Sequence, residues 1–206
     1  MSASVRRPCV NIDFAANLAK TVCHFEAISE IKELNSYSDR NFYVRGRRSK
    51  LCTTQEVAEQ GEYVLKILNS ADSIHGDFVD AENEAMTFLR ERNFPCPILF
   101  PMAGGSEGKR LIRVPIRCND SPKEESSILE DESRKLSKKD EWCVIRLISF
   151  LPGVTAESLG NFSCENLFNI GQFVGKLSKS FQVCIMDIGE TRDRQGSVHL
   201  RRPSGS

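Results

Sequence analysis

The order of the segments predicts an α+β fold built on an antiparallel sheet with one packed helix. Several short runs alternate apolar and polar residues, a pattern that is typical of half-buried strands. One longer internal segment, residues 77–92, has helical periodicity instead. Strands that follow one another with a single intervening helix favour an antiparallel sheet, because parallel sheets alternate strands with helices throughout.

The amino-terminal region predicts a helix and a hairpin. Residues 13–24 space their apolar side chains as an amphipathic helix, with Asp13 as its amino-terminal cap. Residues 27–34 and 41–45 then read as two strands. The polar stretch between them, 35–40, is a long hairpin tip, and such tips tend to carry binding groups.

Residues 63–68 give the strongest strand signal in the chain. Alternation places Tyr63, Leu65 and Ile67 on one face of this strand and Lys66 on the other. A lysine between apolar neighbours needs a carboxylate partner or an anionic ligand, since burying an unpaired charge is costly. Lys66 is therefore the first candidate for a functional residue.

The rest of the chain predicts a helix, two strands and a second helix. The helix at 77–92 has Phe78 at the start of its apolar stripe. A strand at 111–116 lies within a charged insertion, 104–141, that we expect to be flexible. A further strand, 142–151, ends at Pro152-Gly153.

The predicted division of the chain has four parts. Residues 1–26 carry the first helix, and 27–152 form the lobe with the sheet. Residues 153–182 contain a helix at 167–177, with Ser163 as its cap. The remaining segment, 183–206, is predicted to be a disordered tail, because its pattern decays into charged residues among Gly, Ser and Pro.

Composition excludes several classes of function. The 28 basic and 28 acidic residues cancel, so nucleic acid and anionic membranes are not expected partners. The eight cysteines include no C-x-x-C pair, which argues against zinc bound through sulfur. No apolar signal segment or membrane span is evident, so we expect a cytoplasmic location.

Lys66 and a carboxylate on the following helix suggest phosphoryl-transfer chemistry. That chemistry needs a cation on the phosphates and a group that holds this cation in place. Glu82 follows Lys66 by sixteen residues and lies on the predicted helix, where Glu84 competes for the same role. A lone strand lysine would otherwise be an edge residue that discourages aggregation.

In this setting the sequence resembles the aminoglycoside phosphotransferase and choline kinase family, which has a protein-kinase-like fold. The resemblance covers about residues 10 to 182. Four segments carry most of it: 36–44 (SYSDRNFYV), 63–67 (YVLKI), 82–89 (ENEAMTFL) and 144–153 (VIRLISFLPG). The resemblance therefore implies a kinase-like amino-terminal lobe, followed by a hinge and the first helix of a carboxy-terminal lobe.

The resemblance also implies roles for individual residues. Lys66 would contact the α and β phosphates of GTP or ATP, held with Mg²⁺, and Glu82 would be its ion-pair partner. The stretch 147–151 would be the hinge that meets the purine. The remaining nucleotide contacts would come from the tip and the hinge: Tyr37, Ser38, Asp39, Asn41, Ser149 and Leu151. The similar members of this family use GTP to phosphorylate the small amino acid 5-hydroxy-L-lysine.

A catalytic loop of H-G-D-x-x-x-x-N type is not found in the sequence. His75-Gly76-Asp77 begins like one, but Asn83 is one position too late and the tripeptide precedes the lysine-facing helix. We therefore predict no catalytic residue and no metal ligand in these 206 residues, and expect a form truncated after the hinge helix. The alternative is a non-catalytic nucleotide-binding or regulatory fragment that binds a partner.

Overall fold

The computed structural model describes residues 5–49, 60–102, 111–119, 140–154, 158 and 160–196. The chain divides after Leu151 into two compact units. The first unit contains seven strands and three helices: β1 (Arg7–Pro8), α1 (Ile12–Thr21), β2 (Phe25–Leu34), β3 (Arg40–Arg48), β4 (Gln60–Ile67), α2 (Ser70–Ile74), α3 (Gly76–Glu91), β5 (Leu99–Phe100), β6 (Ile112–Asn119) and β7 (Asp140–Ser149). The second contains α4 (Cys164–Gly196).

The strands form one antiparallel sheet in the order β1-β6-β7-β4-β3-β2, and β5 pairs with β7. One edge of β7 pairs with β4, while its other edge is shared by β6 and then β5. The helix α3 lies between β4 and β5 in the sequence. This architecture confirms the predicted α+β class and is that of a kinase-like amino-terminal lobe.

The main core lies on the face of the sheet that α1 covers. Leu65 and Ile67 of β4 are fully buried there, together with Ile145 and Leu147 of β7. Tyr63 belongs to the same cluster, so the face predicted from the alternation of β4 is confirmed. A smaller cluster of Leu68, Val79 and Val144 packs on the opposite face, beneath α3.

The first helix differs from the prediction in its cap. Asn11 is the cap, because its side chain accepts a hydrogen bond of 2.8 Å from the Phe14 amide. Asp13 lies inside the first turn, where its negative charge interacts favourably with the helix dipole. The buried residues are Ala15, Leu18 and Ala19, whereas Phe14 is exposed.

The third helix buries Leu89, the last residue of the predicted apolar stripe, but leaves the first residue of that stripe exposed. Phe78, the start of the predicted stripe, is 71% exposed. The residues turned inward are Val79, Asn83 and Leu89. An asparagine on the buried side of a helix breaks the apolar periodicity on which the prediction rests.

The charged region and the tail also contain more regular structure than predicted. Within the predicted insertion at 104–141, β6 is an integral strand that pairs with both β1 and β7. The flexible stretch is expected to run at least from Asn119 to Asp140, but these two residues lie in β6 and β7; residues 120–139 lie outside the described residues. In the second unit Ser163 caps α4 as predicted, with its hydroxyl accepting from the Asn166 amide at 3.1 Å. The helix continues to Gly196 rather than ending in disorder after 182.

Within the described parts of the chain, no helix combines the length and the apolar character that a membrane span requires.

Candidate nucleotide-binding face

The sheet face opposite the main core carries a row of polar side chains on three adjacent strands. Asn41 of β3 lies directly opposite Lys66 of β4, and Lys66 lies directly opposite Arg146 of β7. Directly opposed residues of antiparallel strands point to the same face. The row Asn41–Lys66–Arg146 therefore points toward α3, away from the apolar core.

Lys66 is partly buried and has only a loose ion pair. Its Nζ lies 3.9 Å from Oδ2 of Asp39, and its side chain is 22% exposed. Burial lowers the pKa of the Lys66 ammonium, and the nearby Arg146 guanidinium lowers it further. The carboxylates of Asp39, Glu82 and Asp72 oppose this shift. Lys66 thus has the burial and the charge surroundings of a group that gains from binding an anion.

Glu82 pairs with Arg146 rather than with Lys66. Its Oε2 accepts from Nη2 of Arg146 at 2.8 Å, and the described residues contain no Lys66–Glu82 ion pair. The predicted pair is therefore wrong as a direct contact, although Glu82 acts on Lys66 through its charge. Glu84, the competing candidate, is exposed. The register of β4 and β7 explains the outcome, since it places Arg146 beside the helix carboxylate.

The hairpin tip is anchored to the start of α2 by Asn69. The Asn69 amide donates to Oδ1 of Asp39 at 2.9 Å, and its side-chain Nδ2 donates to the same oxygen at 3.0 Å. Nδ2 also donates to Ser38 Oγ at 3.3 Å and to Asp72 Oδ2 at 2.6 Å. Asp39 is therefore held through one oxygen while its other oxygen faces Lys66.

The remaining tip residues have different surroundings. Tyr37 is fully exposed at the end of the hairpin. Asn41 is partly buried, and its Oδ1 has no hydrogen-bond partner among the described residues. The structure thus brings Ser38, Asp39 and Asn41 to the Lys66 end of the sheet and leaves Tyr37 in solvent.

The predicted hinge is bonded more fully than the sequence indicated. Leu147 and Ile148 are bordered by β4 on one side and β5 on the other. The Ser149 amide donates to the Ile98 carbonyl at 2.8 Å, and the Phe150 amide donates to the Glu62 carbonyl at 3.0 Å. Leu151, 45% exposed, is the first residue beyond these bonds, so it is the better candidate for a backbone contact than Ser149.

Sequence reasoning missed Arg146, Asn69 and Asn83. Arg146 lies within the matching segment 144–153. Strand alternation alone would have shown that its side chain points away from those of Ile145 and Leu147. Asn69 has a local signal as well, because an asparagine before a helix start is a common cap. Asn83 has none, since an inward polar residue is recognisable only once its partner is known.

A metal site would need several His, Cys, Asp or Glu side chains close together. The described residues contain no group of three such side chains that could hold a metal ion. Asp39 and Asp72 are the carboxylates of the tip region, and both are engaged by Asn69. We therefore assign none of the described residues to Mg²⁺.

The sheet order, the intervening helix and the row Asn41–Lys66–Arg146 define the class of fold, which is that of a kinase-like amino-terminal lobe. Comparison with curated proteins finds hydroxylysine kinases. That of Danio rerio is 24% identical over 177 residues, covering 86% of this chain and 40% of the relative. That of Mus musculus is 27% identical over 168 residues, covering 82% and 38%. That of Xenopus laevis is 27% identical over 175 residues, covering 84% and 38%.

The chain is similar to hydroxylysine kinases over more than 80% of its length, at 24–27% identity. It spans about 40% of the length of the relatives it matches. No family model matches the chain, and no solved structure gives a significant match.

Proposed function

We propose that this chain is the nucleotide-binding lobe of a hydroxylysine kinase-type phosphotransferase. The observation that carries the proposal is the position of Lys66, which is partly buried beside Arg146 with its nearest carboxylate 3.9 Å away. A desolvated ammonium with a weak internal partner is suited to phosphate oxygens, because an anion there replaces lost hydration.

The proposed ligand is GTP, with its phosphates at Lys66 and its purine toward Leu151. Ser38, Asp39 and Asn41 would lie over the phosphates, with Tyr37 at the outer end of the tip. Glu82 would act through Arg146 rather than by holding Lys66. ATP is the competing nucleotide, and direct comparison of the two decides between them.

The proposed reaction of the complete enzyme is transfer of the γ-phosphoryl group of GTP to the hydroxyl of 5-hydroxy-L-lysine. Positioning and charge neutralisation supply most of the rate in phosphoryl transfer. The 206 residues contain no H-G-D-x-x-x-x-N segment, so for this chain we propose nucleotide binding without turnover. GTP hydrolysis or hydroxylysine phosphorylation by this chain alone would overturn that part of the proposal.

Nucleotide binding is tested by calorimetric titration of the chain with GTP and with ATP in the presence of Mg²⁺. We expect saturable binding that Lys66→Ala weakens at least tenfold. Lys20→Ala is the matched control, because Lys20 is exposed at the end of α1 on the other side of the sheet and should leave binding unchanged. Equal affinity of wild type and Lys66→Ala would show that the phosphate role of Lys66 is wrong.

The second candidate is a regulatory module that binds a partner protein and no nucleotide. The lack of a catalytic-loop motif in the sequence is the observation that favours it. It predicts no heat signal with either nucleotide and no rise in melting temperature when nucleotide is added. The first candidate predicts both.

A further inference from the structure

Arg146 is a largely buried cation that faces a second cation, Lys66. It is only 7% exposed, and it sits directly across the β4–β7 ladder from Lys66. Cα atoms of directly opposed residues in antiparallel strands are about 4.5–5.5 Å apart. Like charges placed directly opposite each other destabilise a sheet. The pair of cations therefore has an unfavourable interaction that a bound anion would relieve.

The guanidinium of Arg146 is fixed by two consecutive residues of α3. Nη2 donates to Glu82 Oε2 at 2.8 Å, and Nη1 donates to Asn83 Oδ1 at 3.2 Å. Asn83 is itself 4% exposed, so this contact is well shielded from water. The fork geometry of arginine suits two such acceptors, whereas a lysine could not reproduce it. Arg146 thus holds α3 on the sheet and occupies the helix carboxylate.

Several polar atoms around Lys66 lack hydrogen-bond partners within the described part of the protein. Three of the buried polar atoms that have no hydrogen-bond partner among the described residues lie on this face: Arg146 Nε, Asn83 Nδ2 and Asn41 Oδ1. Buried polar atoms of native proteins are normally paired. Lys66, in the middle of this row, has its nearest carboxylate oxygen at 3.9 Å. The face is consistent with one that accepts a further polar or charged group.

We propose that Arg146 is a positioning residue of the nucleotide site, which keeps Glu82 away from Lys66 and leaves the Lys66 ammonium for the phosphates. This inference rests on the proposed function. The positive charge of Arg146 also disfavours the charged form of Lys66, and a bound anion would offset this effect. The charged groups that face Lys66 are Arg146 of β7, Asp39 of the tip, Asp72 of α2 and Glu82 of α3.

The first test measures the proton affinity of Lys66 without any nucleotide. Competitive labelling of amines with acetic anhydride across a pH series, read by mass spectrometry, gives the titration midpoint of Lys66. Arg146→Met should move this midpoint to higher pH, because a like charge is lost and Glu82 is released. Arg146→Lys keeps the charge and should stay nearer to wild type. An unchanged or lower midpoint in Arg146→Met would overturn the inference.

Glu82→Gln provides a variant that keeps the size of the side chain. Glu82 favours the charged form of Lys66, so its neutralisation should move the Lys66 midpoint to lower pH. The Glu82 side chain is 61% exposed, so this change should leave the fold intact. If Arg146→Met does not fold, the downward shift expected for Glu82→Gln still decides the matter, with Arg146→Lys expected near wild type. A Lys66 midpoint in Glu82→Gln equal to or above that of wild type would count against the proposal.

The second test measures GTP binding across the same pH series. Wild-type affinity should fall about tenfold per pH unit once the pH exceeds the Lys66 midpoint, because the phosphates need the ammonium form. In Arg146→Met the fall should begin at higher pH, and affinity at neutral pH should drop at least fivefold because Glu82 competes for Lys66. Binding that is identical in affinity and pH profile would refute the role of Arg146. Absence of binding by wild type would refute the proposed function instead, while the labelling result would still test Arg146.

Discussion

Replacing Asn69 with alanine should destabilise the first unit more than its position in a connecting segment indicates. Asn69 is 1% exposed and serves two purposes. Its Oδ1 caps α2 by accepting from the Asp72 amide at 3.0 Å, and its Nδ2 donates to the carboxylates of Asp39 and Asp72. Alanine removes all of these side-chain bonds and keeps the two backbone bonds, one from its amide to Asp39 and one to its carbonyl from the Ser73 amide.

The expected loss of unfolding free energy in Asn69→Ala is the sum of the contributions of the bonds that it removes. Loss of an asparagine cap costs about 1 kcal/mol. A hydrogen bond to a charged group contributes about 1.5–3 kcal/mol, but Asp72 is exposed and water replaces most of its share. Asp39, whose side chain is 18% exposed, has less access to water and retains one donor. The sum is about 2–4 kcal/mol.

The assay is equilibrium unfolding in urea. The midpoints of wild type and variant are compared, with the slope of the unfolding free energy against urea concentration taken as constant. With a slope of about 2 kcal/mol/M, the midpoint should fall by about 1–2 M in Asn69→Ala. Ser38→Ala is the matched control, because it removes only the hydrogen bond of 3.3 Å and should cost about 0.5 kcal/mol. Asn69→Asp keeps the cap acceptor but turns a third carboxylate toward Asp39 and Asp72. Wild-type stability of Asn69→Asp, or a loss below about 1 kcal/mol in Asn69→Ala, would refute the reasoning.

Two further predictions concern β3 and β4. Gly46→Ala should lower the melting temperature by about 4 °C or more, since a Cβ there would overlap the backbone oxygen of Ala27; an unchanged melt would contradict this. The hydrogen bond from the Tyr43 hydroxyl, followed by that from Arg45, lowers the pKa of Glu62. A depressed carboxyl pKa contributes stability above the unfolded value that is lost as the pH falls through the folded value. The urea midpoint difference between wild type and Glu62→Gln should therefore shrink between neutral pH and about pH 3, and a constant difference would contradict the assignment.

The parts of the fold that depend on local pattern could be predicted from the sequence. The alternation of β4 is a property of consecutive residues, so it correctly separated Tyr63, Leu65 and Ile67 from Lys66. The cap of α4 at Ser163 is local in the same way. The long polar tip between β2 and β3 was likewise visible as a break between two strand patterns.

The pairing of Arg146 could not be predicted in this manner. It depends on which residue of β7 lies opposite Lys66, and the two strands are far apart in the sequence. The inward face of α3 depends on the same register, since Asn83 is buried because it meets Arg146. An apolar stripe through Phe78 was the simpler pattern, but it could not account for a polar partner across the interface.

The polar row also determines the register of the sheet. Side chains alternate with a period of two, so a slip of one residue between β4 and β7 would exchange the two faces of β7. Arg146 would then enter the cluster that contains Leu65, Ile145 and Leu147, with no carboxylate to meet it. Burying an unpaired guanidinium is far more costly than shifting one apolar contact. The bonds from Arg146 to Glu82 and Asn83 therefore favour a single register, which is the same register that places Lys66 between Asn41 and Arg146.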